Sequence, residues 1–394
     1  MKKVALYVAT VIFLVVATTT VILYGKGYNF NFVDGKIGVF GTGLLAATSQ
    51  PDGAGIYIDD HLTSATNNTI NLPPGEYNVK ISKSGYSTWE KKIKIEKEVV
   101  SSVYAFLIPT APKLDNVTQA GVDDPVLDPT RTKIAYTVSS SDDPRKNGIY
   151  ILDMGLRPVL TLQSSSSQIV GNTIDNFSKA SLSWTPDAKE LVATISAGPN
   201  IVTTYLLTTA FNENPQDITA TLASIDSTWK EQKINADNLQ LLGFKAELQN
   251  LIKNHFTILS WSEDETKILY IASDSAILPQ IIEPKLIGTN PTPEERKITK
   301  GTVYVYDIKE DKNFKILDSN SLPLSWFADS KHLIYVSDKK INIMDYDGKN
   351  KKTIYAGPFI DDYVFSWPDG SKILILTNLG NPSIPPNLYT IGLK

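Results

Sequence analysis

Few side chains in this protein have the type and spacing that a catalytic site or a metal site requires. The sequence contains three histidines, His61, His255 and His332, and no cysteine. No two histidines stand at a metal-binding spacing such as His-x-x-x-His, so the sequence predicts no metal site. The lack of cysteine excludes disulfides, thiolate metal ligands, thiol catalysis and a lipid-modified N-terminal cysteine.

Motifs of the common enzyme and nucleotide-binding classes are missing as well. The sequence has no Gly-x-Ser-x-Gly nucleophile elbow, no Gly-x-x-x-x-Gly-Lys-Ser/Thr phosphate loop and no Gly-x-Gly-x-x-Gly dinucleotide fingerprint. We therefore predict a protein that is not an enzyme, with no catalytic, cofactor-binding or metal-binding residue and no cofactor.

Carboxylates are the remaining candidates, because they occur in adjacent pairs. Four pairs fall in predicted turns: Asp59-Asp60, Asp123-Asp124, Asp142-Asp143 and Asp361-Asp362. Aspartates are common in turns, where they bond to the backbone and to water, so we favour a structural role. The alternative is that the fold brings carboxylates from separate segments together for acid–base chemistry.

The elements that position these residues come from a repeat. Four segments alternate a Ser-Trp pair, a polar turn and an apolar strand: LSWTPDAKELVA, LSWSEDETKILY, LSWFADSKHLIY and FSWPDGSKILIL. Units of about 40 residues with four strands are typical of a β-propeller, because one blade cannot bury both of its faces. We predict a propeller over residues 113–394, with insertions where the repeats are further apart.

The repeated residues have predicted structural roles. We expect the tryptophans to pack between neighbouring blades and the aspartates to hydrogen-bond the backbone of the turn between the first two strands. The tryptophans are Trp184, Trp261, Trp326 and Trp367, and the aspartates are Asp187, Asp264, Asp329 and Asp369. These repeats resemble the Ser-Trp-Ser-Pro-Asp-Gly repeats of TolB-type propellers. A sugar-binding platform of tryptophans is the alternative.

The first blade and the two ends of the repeat region need separate interpretation. The segment VLDPTRTKIAY has Leu127 and Thr130 where the repeat has Trp and Asp, although Pro129 keeps the frame. The last blade stops after three strands, while KLDNVTQAG precedes the first blade as an unassigned strand. A ring closed by that N-terminal strand would leave no exposed edge, which predicts five blades, with a degenerate sixth as the alternative.

A helical insertion is predicted over residues 215–256. Its apolar side chains recur at helical spacing, at Leu241, Phe244, Leu248, Leu251 and Ile252. Asp237, with Gln240 three residues later, is the predicted N-cap. The helix either packs on the propeller rim, which we favour, or docks a partner.

A second insertion, residues 274–300, is rich in proline and contains the apolar pair Ile281-Ile282. Long loops in compact domains often carry function, so this loop is the best predicted place for a ligand or partner contact. A cover over the propeller face is the alternative.

Residues 43–109 read as a small all-β sandwich, because short β-branched and aromatic runs alternate with Pro-Asp-Gly and Pro-Pro-Gly turns. The segment resembles the PEGA family at Pro51, Ala54, Leu72, Pro74, Gly75, Tyr77, Val79, Gly85 and Tyr86. It departs from the family where Asp60 and His61 stand in place of the usual Gly. The resemblance implies a surface sandwich, often beside a membrane anchor, and no catalysis.

The N-terminus predicts a membrane anchor. Residues 4–24 hold no charge over about the length of a spanning helix, and Lys2 and Lys3 precede them. We expect residues 1–3 in the cytoplasm, a transmembrane helix over 4–24, and a β-rich stalk over 25–42 with an Asp34-Gly35 turn. The alternative for residues 4–24 is a cleaved signal peptide.

Composition completes the prediction. A net charge of −4 and a pI near 5.6 give no reason to bind nucleic acid. We predict an all-β, membrane-anchored, extracytoplasmic binding or scaffold protein of a prokaryotic cell envelope. Its propeller would engage an envelope protein or a cell-wall or surface polysaccharide. The alternatives are a propeller-channel enzyme (a carboxylate-based hydrolase or lyase) and a structural surface-layer component.

Overall fold

The computed structural model describes residues 2–25, 28–33, 36–155, 166–198, 201–319 and 323–394. The chain forms two compact units. The first unit consists of Met1–Thr110, Ile282–Glu295 and Lys309–Lys312, and the second consists of Ala111–Ile281, Arg296–Ile308 and Asn313–Lys394.

The first unit begins with helix α1 (Lys2–Gly25) and a hairpin of strands β1 (Tyr28–Val33) and β2 (Lys36–Gly41). The hairpin predicted for the stalk is confirmed, and its Asp34-Gly35 turn lies outside the described residues. Among the residues that the structure describes, no helix meets the length and apolarity needed to cross a membrane. The transmembrane helix therefore stays a prediction.

Seven strands of the first unit form the predicted β-sandwich. They are β3 (Gly43–Gln50), β4 (Gly55–Ile58), β5 (His61–Ala65), β6 (Asn68–Leu72), β7 (Gly75–Ser82), β8 (Trp89–Ile95) and β9 (Val100–Phe106). One sheet has the order β6-β3-β9 and the other β5-β4-β7-β8. Alternate side chains such as Leu45, Ile56 and Ile81 are fully buried in one apolar core, which is why these short strands hold together.

The turn that departs from the PEGA pattern keeps a regular hairpin form. Ile58 pairs with His61, so Asp59 and Asp60 make a two-residue loop with φ of 46° and 65°. Positive φ at both positions defines a type I′ turn, in which aspartate is tolerated. Asp59 also accepts a hydrogen bond on Oδ1 from the backbone N–H of Asn78 at 2.9 Å, which helps to hold this conformation.

The second unit contains five four-stranded antiparallel sheets, here called blades 1 to 5. Strand β10 (Leu114–Asn116) comes first. Blade 1 contains β11 (Asp123–Leu127), β12 (Lys133–Val138), β13 (Gly148–Asp153) and β14 (Ser166–Gly171). Blade 2 contains β15 (Ser181–Trp184), β16 (Glu190–Gly198), β17 (Ile201–Thr208) and β18 (Gln216–Asp217).

The later blades follow two helices and an insertion. Helices α2 (Leu222–Leu242) and α3 (Ala246–His255) precede blade 3, which contains β19 (Phe256–Trp261), β20 (Lys267–Ala272), β23 (Val303–Asp307) and β24 (Lys312–Leu317). Strands β21 (Ala276–Ile277) and β22 (Lys297–Ile298) pair within the insertion. Blade 4 contains β25 (Leu324–Trp326), β26 (His332–Ser337), β27 (Lys340–Asp345) and β28 (Lys352–Tyr355).

Blade 5 is closed by the N-terminal strand. It contains β29 (Val364–Ser366), β30 (Lys372–Thr377) and β31 (Asn387–Gly392), and β10 pairs antiparallel with β31 as the fourth strand. Five blades and closure by the N-terminal strand are both confirmed by this order. Within the described residues, the second unit has no sixth four-stranded sheet.

The core of the second unit lies between blades. One apolar cluster joins side chains of blades 1 and 2, another joins blades 3 and 4, and a third joins blades 1 and 5. Strand β20 shows why a central strand reads as a continuous apolar run, KILYIA. Its residues Ile268 and Tyr270 belong to one apolar cluster, and Leu269 belongs to another on the opposite face of the sheet.

The helical insertion corrects one prediction and confirms another. Helix α2 begins at Leu222, so Asp237 lies inside the helix and the predicted N-cap is wrong. Strong helix formers in its upstream half, among them Ala223, Lys230 and Glu231, favour this earlier start. The apolar stripe packs on blade 3, where Leu248, Leu251 and Ile252 are buried beside Tyr270. Packing on the propeller, the favoured interpretation, is confirmed.

The Pro-rich insertion divides between the two units. Its middle, Ile282–Glu295, belongs to the unit that contains the sandwich. There Gly288, with φ of +70°, lies so close to Val99 and Val100 that a Cβ atom would fall 2.7 Å from the Val99 side chain. The backbone N–H of Ile282 donates to the carboxylate of Asp311 at 2.9 Å. The insertion is thus an ordered, packed segment, and its role in binding stays a prediction.

Candidate functional site at the inner edge of the blades

The first strand of each blade lies at the inner edge of the propeller. Strand β11 contacts β15, and β19 contacts β25, so first strands of neighbouring blades face one another. Along β15, Leu182 is buried while Ser181 and Ser183 are exposed, and Thr257 is exposed on β19. Alternation of side chains along a strand explains this, because one set packs between blades and the other is left exposed.

The aspartates of the repeat fix the turns beside this edge, as predicted. Asp187 Oδ1 accepts hydrogen bonds from Thr185 Oγ1 at 2.7 Å and from the backbone N–H of Lys189 at 3.2 Å. These bonds, the Thr185 hydroxyl first, lower the pKa of Asp187. Asp264, Asp329 and Asp369 accept equivalent backbone bonds from Thr266, Lys331 and Ser371.

Blade 1 makes the same turn, but its carboxylate and its hydroxyl exchange positions in the sequence. Asp128 stands at the position of Thr185 and accepts backbone hydrogen bonds from Thr132 and Lys133, each at 2.7 Å. The Thr130 hydroxyl donates to the same carboxylate. Blade 1 therefore reads Asp-Pro-Thr where blade 2 reads Thr-Pro-Asp. Asp128 is not among the residues predicted from the sequence, although this reversed triplet was the available signal.

The tryptophans pack between blades, as predicted for Trp184 and Trp326. Trp184 Nε1 donates to the carbonyl of Val126 in blade 1 at 3.0 Å, and Trp326 Nε1 donates to the carbonyl of Ser260 in blade 3 at 3.4 Å. Trp326 is 1% exposed. The other three repeat tryptophans are half-buried, with Phe244 stacked on Trp261 and Lys372 Nζ over the ring of Trp367.

Two of the acidic pairs meet at one end of the inner edge. We call Asp123, Asp124, Asp361, Asp362 and Tyr363 the inner-edge acidic cluster. Asp123 and Asp124 begin the first strand of blade 1, and Asp361-Asp362 lie just before the first strand of blade 5. Tyr363 Oη donates to Asp124 Oδ1 at 3.1 Å across the two blades. Asp123, Asp124 and Asp362 all lie close enough to Tyr363 to raise its pKa, so carboxylates of blades 1 and 5 face this tyrosine.

Neighbouring side chains hold the carboxylates of this cluster. Ser139 Oγ donates to Asp123 Oδ2 at 2.6 Å, and Lys339 Nζ lies 2.6 Å from Asp361 Oδ2. The other carboxylate oxygen of Asp361, Oδ1, is buried without a hydrogen-bond partner in the described part of the chain. Burial raises the pKa of Tyr363, and its hydrogen bond to Asp124 raises it further. The tyrosine therefore stays a neutral donor at physiological pH.

The other acidic pairs are structural. Asp143 caps a one-turn 3-10 helix, Pro144–Lys146, by accepting from the backbone N–H of Arg145, and its carboxylate also pairs with the Arg145 guanidinium at 3.1 Å. Asp59 and Asp60 form the β4–β5 turn. The predicted structural role is confirmed for Asp59, Asp60 and Asp143.

The histidines lie in three separate places. His61 Nδ1 is 2.8 Å from the carbonyl of Asp59, and His255 Nδ1 is 2.8 Å from Asp274 Oδ1. His332 is buried in blade 4, with Nδ1 2.6 Å from Asp329 Oδ2 and Nε2 3.3 Å from Asp345 Oδ1. Over the described ranges, no group of His, Asp or Glu side chains is placed to hold a metal ion.

Comparisons with known proteins identify one domain. Residues 42–110 match the PEGA domain. No curated protein matches the chain.

The solved structures that are similar include TolB from Acinetobacter baumannii, with 13% identity, 89% of this chain and 63% of that chain covered, and a TM-score of 0.23. The β-propeller domain of the Trilobed protease from Pyrococcus furiosus has 13% identity, with 89% of this chain and 95% of that chain covered, and a TM-score of 0.24. Scores this low support no functional transfer. The chain thus carries a segment that matches PEGA, followed by five four-stranded sheets with the strand order expected of a β-propeller.

Proposed function

We propose that this protein is an extracytoplasmic binding or scaffold protein of a prokaryotic cell envelope. In this proposal helix α1 anchors the chain in the membrane, and the propeller engages an envelope protein or polymer.

The proposal of a binding role rests chiefly on the inner-edge acidic cluster. Its carboxylates come from two blades, and Tyr363, Ser139 and Lys339 hold three of them in place. A surface whose polar groups are already fixed loses little entropy when a partner binds. Exposed hydroxyls along the same inner edge, such as Ser183 and Thr257, add hydrogen-bonding groups suited to a polar partner.

The proposed location rests on the sequence of α1. Residues 4–24 carry no charge, and apolar side chains of this helix, such as Phe13 and Val21, are more than two-thirds exposed. Large exposed apolar surfaces need a covering environment, and a lipid bilayer is one that fits a helix of this length.

An enzyme is the second candidate, because the cluster brings carboxylates from separate blades together as a channel hydrolase or lyase would require. Loss of substrate turnover on changing Asp124 or Asp362, without loss of binding, would favour it.

The proposed function is tested by capture. The full chain, immobilised in detergent, is incubated with the solubilised envelope of its source cells, and the captured material is treated with protease. Captured material that is a discrete protein or a protease-resistant polymer supports the proposal. Failure to retain any envelope component at low or high salt contradicts it.

A further inference from the structure

Asparagine acceptor triplets of the form Asn-x-Ser/Thr occur three times with a residue other than proline in the middle. They begin at Asn67, Asn116 and Asn176. An oligosaccharide is transferred to the Asn amide nitrogen in an extracytoplasmic compartment, and the triplet must be accessible. The structure distinguishes these three candidates, since transfer requires both the amide and the hydroxyl to be free.

Two of the triplets are sequestered. In the second, Asn116 Nδ2 donates to Tyr389 Oη at 3.1 Å, while Thr118 is 7% exposed and donates to Asn387 Oδ1. In the third, the hydroxyl of Ser178 donates to Asn176 Oδ1 at 2.9 Å, and Ser178 is 5% exposed. An enzyme could reach neither hydroxyl without opening a blade.

The triplet that begins at Asn67 differs from the other two in its exposure and in its hydrogen bonds. Asn67, Asn68 and Thr69 are all exposed. Asn67 directly precedes the edge strand β6, and Asn68 and Thr69 are its first two residues. Among the described residues, neither the side-chain amide of Asn67 nor the hydroxyl of Thr69 makes a hydrogen bond. Asn67 adopts φ of +65° in the two-residue bend between β5 and β6. Surface turns of this kind are accessible to modifying enzymes.

We propose that Asn67 is an N-glycosylation site. In the transfer, the Asn67 amide nitrogen attacks C1 of the first sugar of a lipid-linked oligosaccharide. A C–N bond forms, the bond from C1 to the phosphate oxygen breaks, and the lipid phosphate leaves with the electron pair while the amide loses a proton. The inference rests on the extracytoplasmic location in the proposed function.

The test uses the full chain, expressed with an affinity tag in its source cells, and intact-mass and peptide mass spectrometry. We expect a glycan mass on the peptide that contains Asn67. The Asn67→Gln and Thr69→Ala variants should lose it, and Thr69→Ser should keep it, because serine also supplies the hydroxyl. Asn116→Gln and Asn176→Gln are the matched controls and should leave the glycan mass unchanged.

Location is measured separately with the Leu62→Cys variant. The chain has no cysteine, and Leu62 is 66% exposed on β5 beside the proposed site. A membrane-impermeant maleimide should label Cys at this position in intact cells. Labelling together with an unmodified Asn67 overturns the glycosylation inference alone. Absence of labelling in intact cells, with labelling after lysis, overturns both the inference and the proposed location.

Discussion

At the scale of residues, the turns between the first two strands of each blade share one strained position. Arg131, Ala188, Glu265, Ser330 and Gly370 all have positive φ, from 55° to 63°. Only blade 5 places glycine there, where the left-handed conformation costs nothing. Four blades therefore accept a local cost of about 1 kcal/mol each, which the surrounding hydrogen bonds offset.

Glycine at this position should stabilise blade 3. Glu265 is exposed, so Glu265→Gly removes little packing while it relieves the left-handed strain. We expect the free energy of unfolding to rise by about 1 kcal/mol, measured by urea denaturation. Glu231→Gly, at an exposed interior position of α2, is the control and should lower it by about 1 kcal/mol. Equal effects of the two variants would contradict this explanation.

His332 should make stability depend on alkaline pH. Burial alone would lower the pKa of His332, but the charges of Asp329 and Asp345 outweigh it and raise the pKa to about 10. Because the folded pKa is above the unfolded value of about 6.5, the stabilisation is complete below pH 6.5 and declines as pH rises to about 10. Thermal unfolding between pH 6 and 10 measures this decline.

The matched variants for this prediction are His332→Leu and His255→Leu. The first leaves two buried carboxylates without their cation and should cost about 3–5 kcal/mol. The second breaks a pair with Asp274 that is more exposed, so it should cost less than about 1 kcal/mol. A stability profile that is flat from pH 7 to 10 in the unmodified chain would show that His332 is not charged in the fold.

At the scale of elements, what could be predicted depended on the distance in sequence between the interacting groups. The tryptophan repeat predicted the blades, because each Ser-Trp-turn-strand segment is local and periodic. The N-cap at Asp237 was wrong, because the exposed part of α2 has no apolar pattern to mark its start. The contact between Tyr363 and Asp124 could not be predicted, because only ring closure brings blades 5 and 1 together.

Two leucines of the helical insertion should differ in their contribution to stability. Leu251, on the buried face of α3, is 4% exposed, whereas Leu242 at the end of α2 is 66% exposed. Leu251→Ala should destabilise the fold by about 2–5 kcal/mol, and Leu242→Ala by less than about 0.5 kcal/mol. Denaturant unfolding of both variants measures this. Similar losses would mean that the insertion does not pack as a fixed part of blade 3.

At the end of the strand that closes blade 5, a smaller side chain should cost less stability than the loss of a backbone hydrogen-bond donor. The backbone N–H of Val117 donates to the carbonyl of Leu388 at 2.9 Å just after β10. Val117→Pro removes this donor and should cost about 2 kcal/mol or more, while Val117→Ala keeps it. Hydrogen exchange along β31 provides the measurement, with faster exchange expected in the proline variant only.

At the scale of the whole molecule, the chain carries a PEGA-like segment and a five-bladed propeller with an acidic cluster at its inner edge. The all-β architecture followed from composition and repeats, but the site did not, because its members lie in two terminal blades. Asp124 and Asp362 are exposed members of this cluster, so they can be changed without disturbing the core.

The most direct test of the proposed binding role compares how much envelope material the full chain and its Asp124→Asn/Asp362→Asn variant retain at physiological salt. Asp115→Asn, at an exposed position of the outer strand β10, is the control. The account predicts at least tenfold weaker retention by the double variant and unchanged retention by the control. Equal retention by all three proteins would contradict the assignment of binding to the inner-edge acidic cluster.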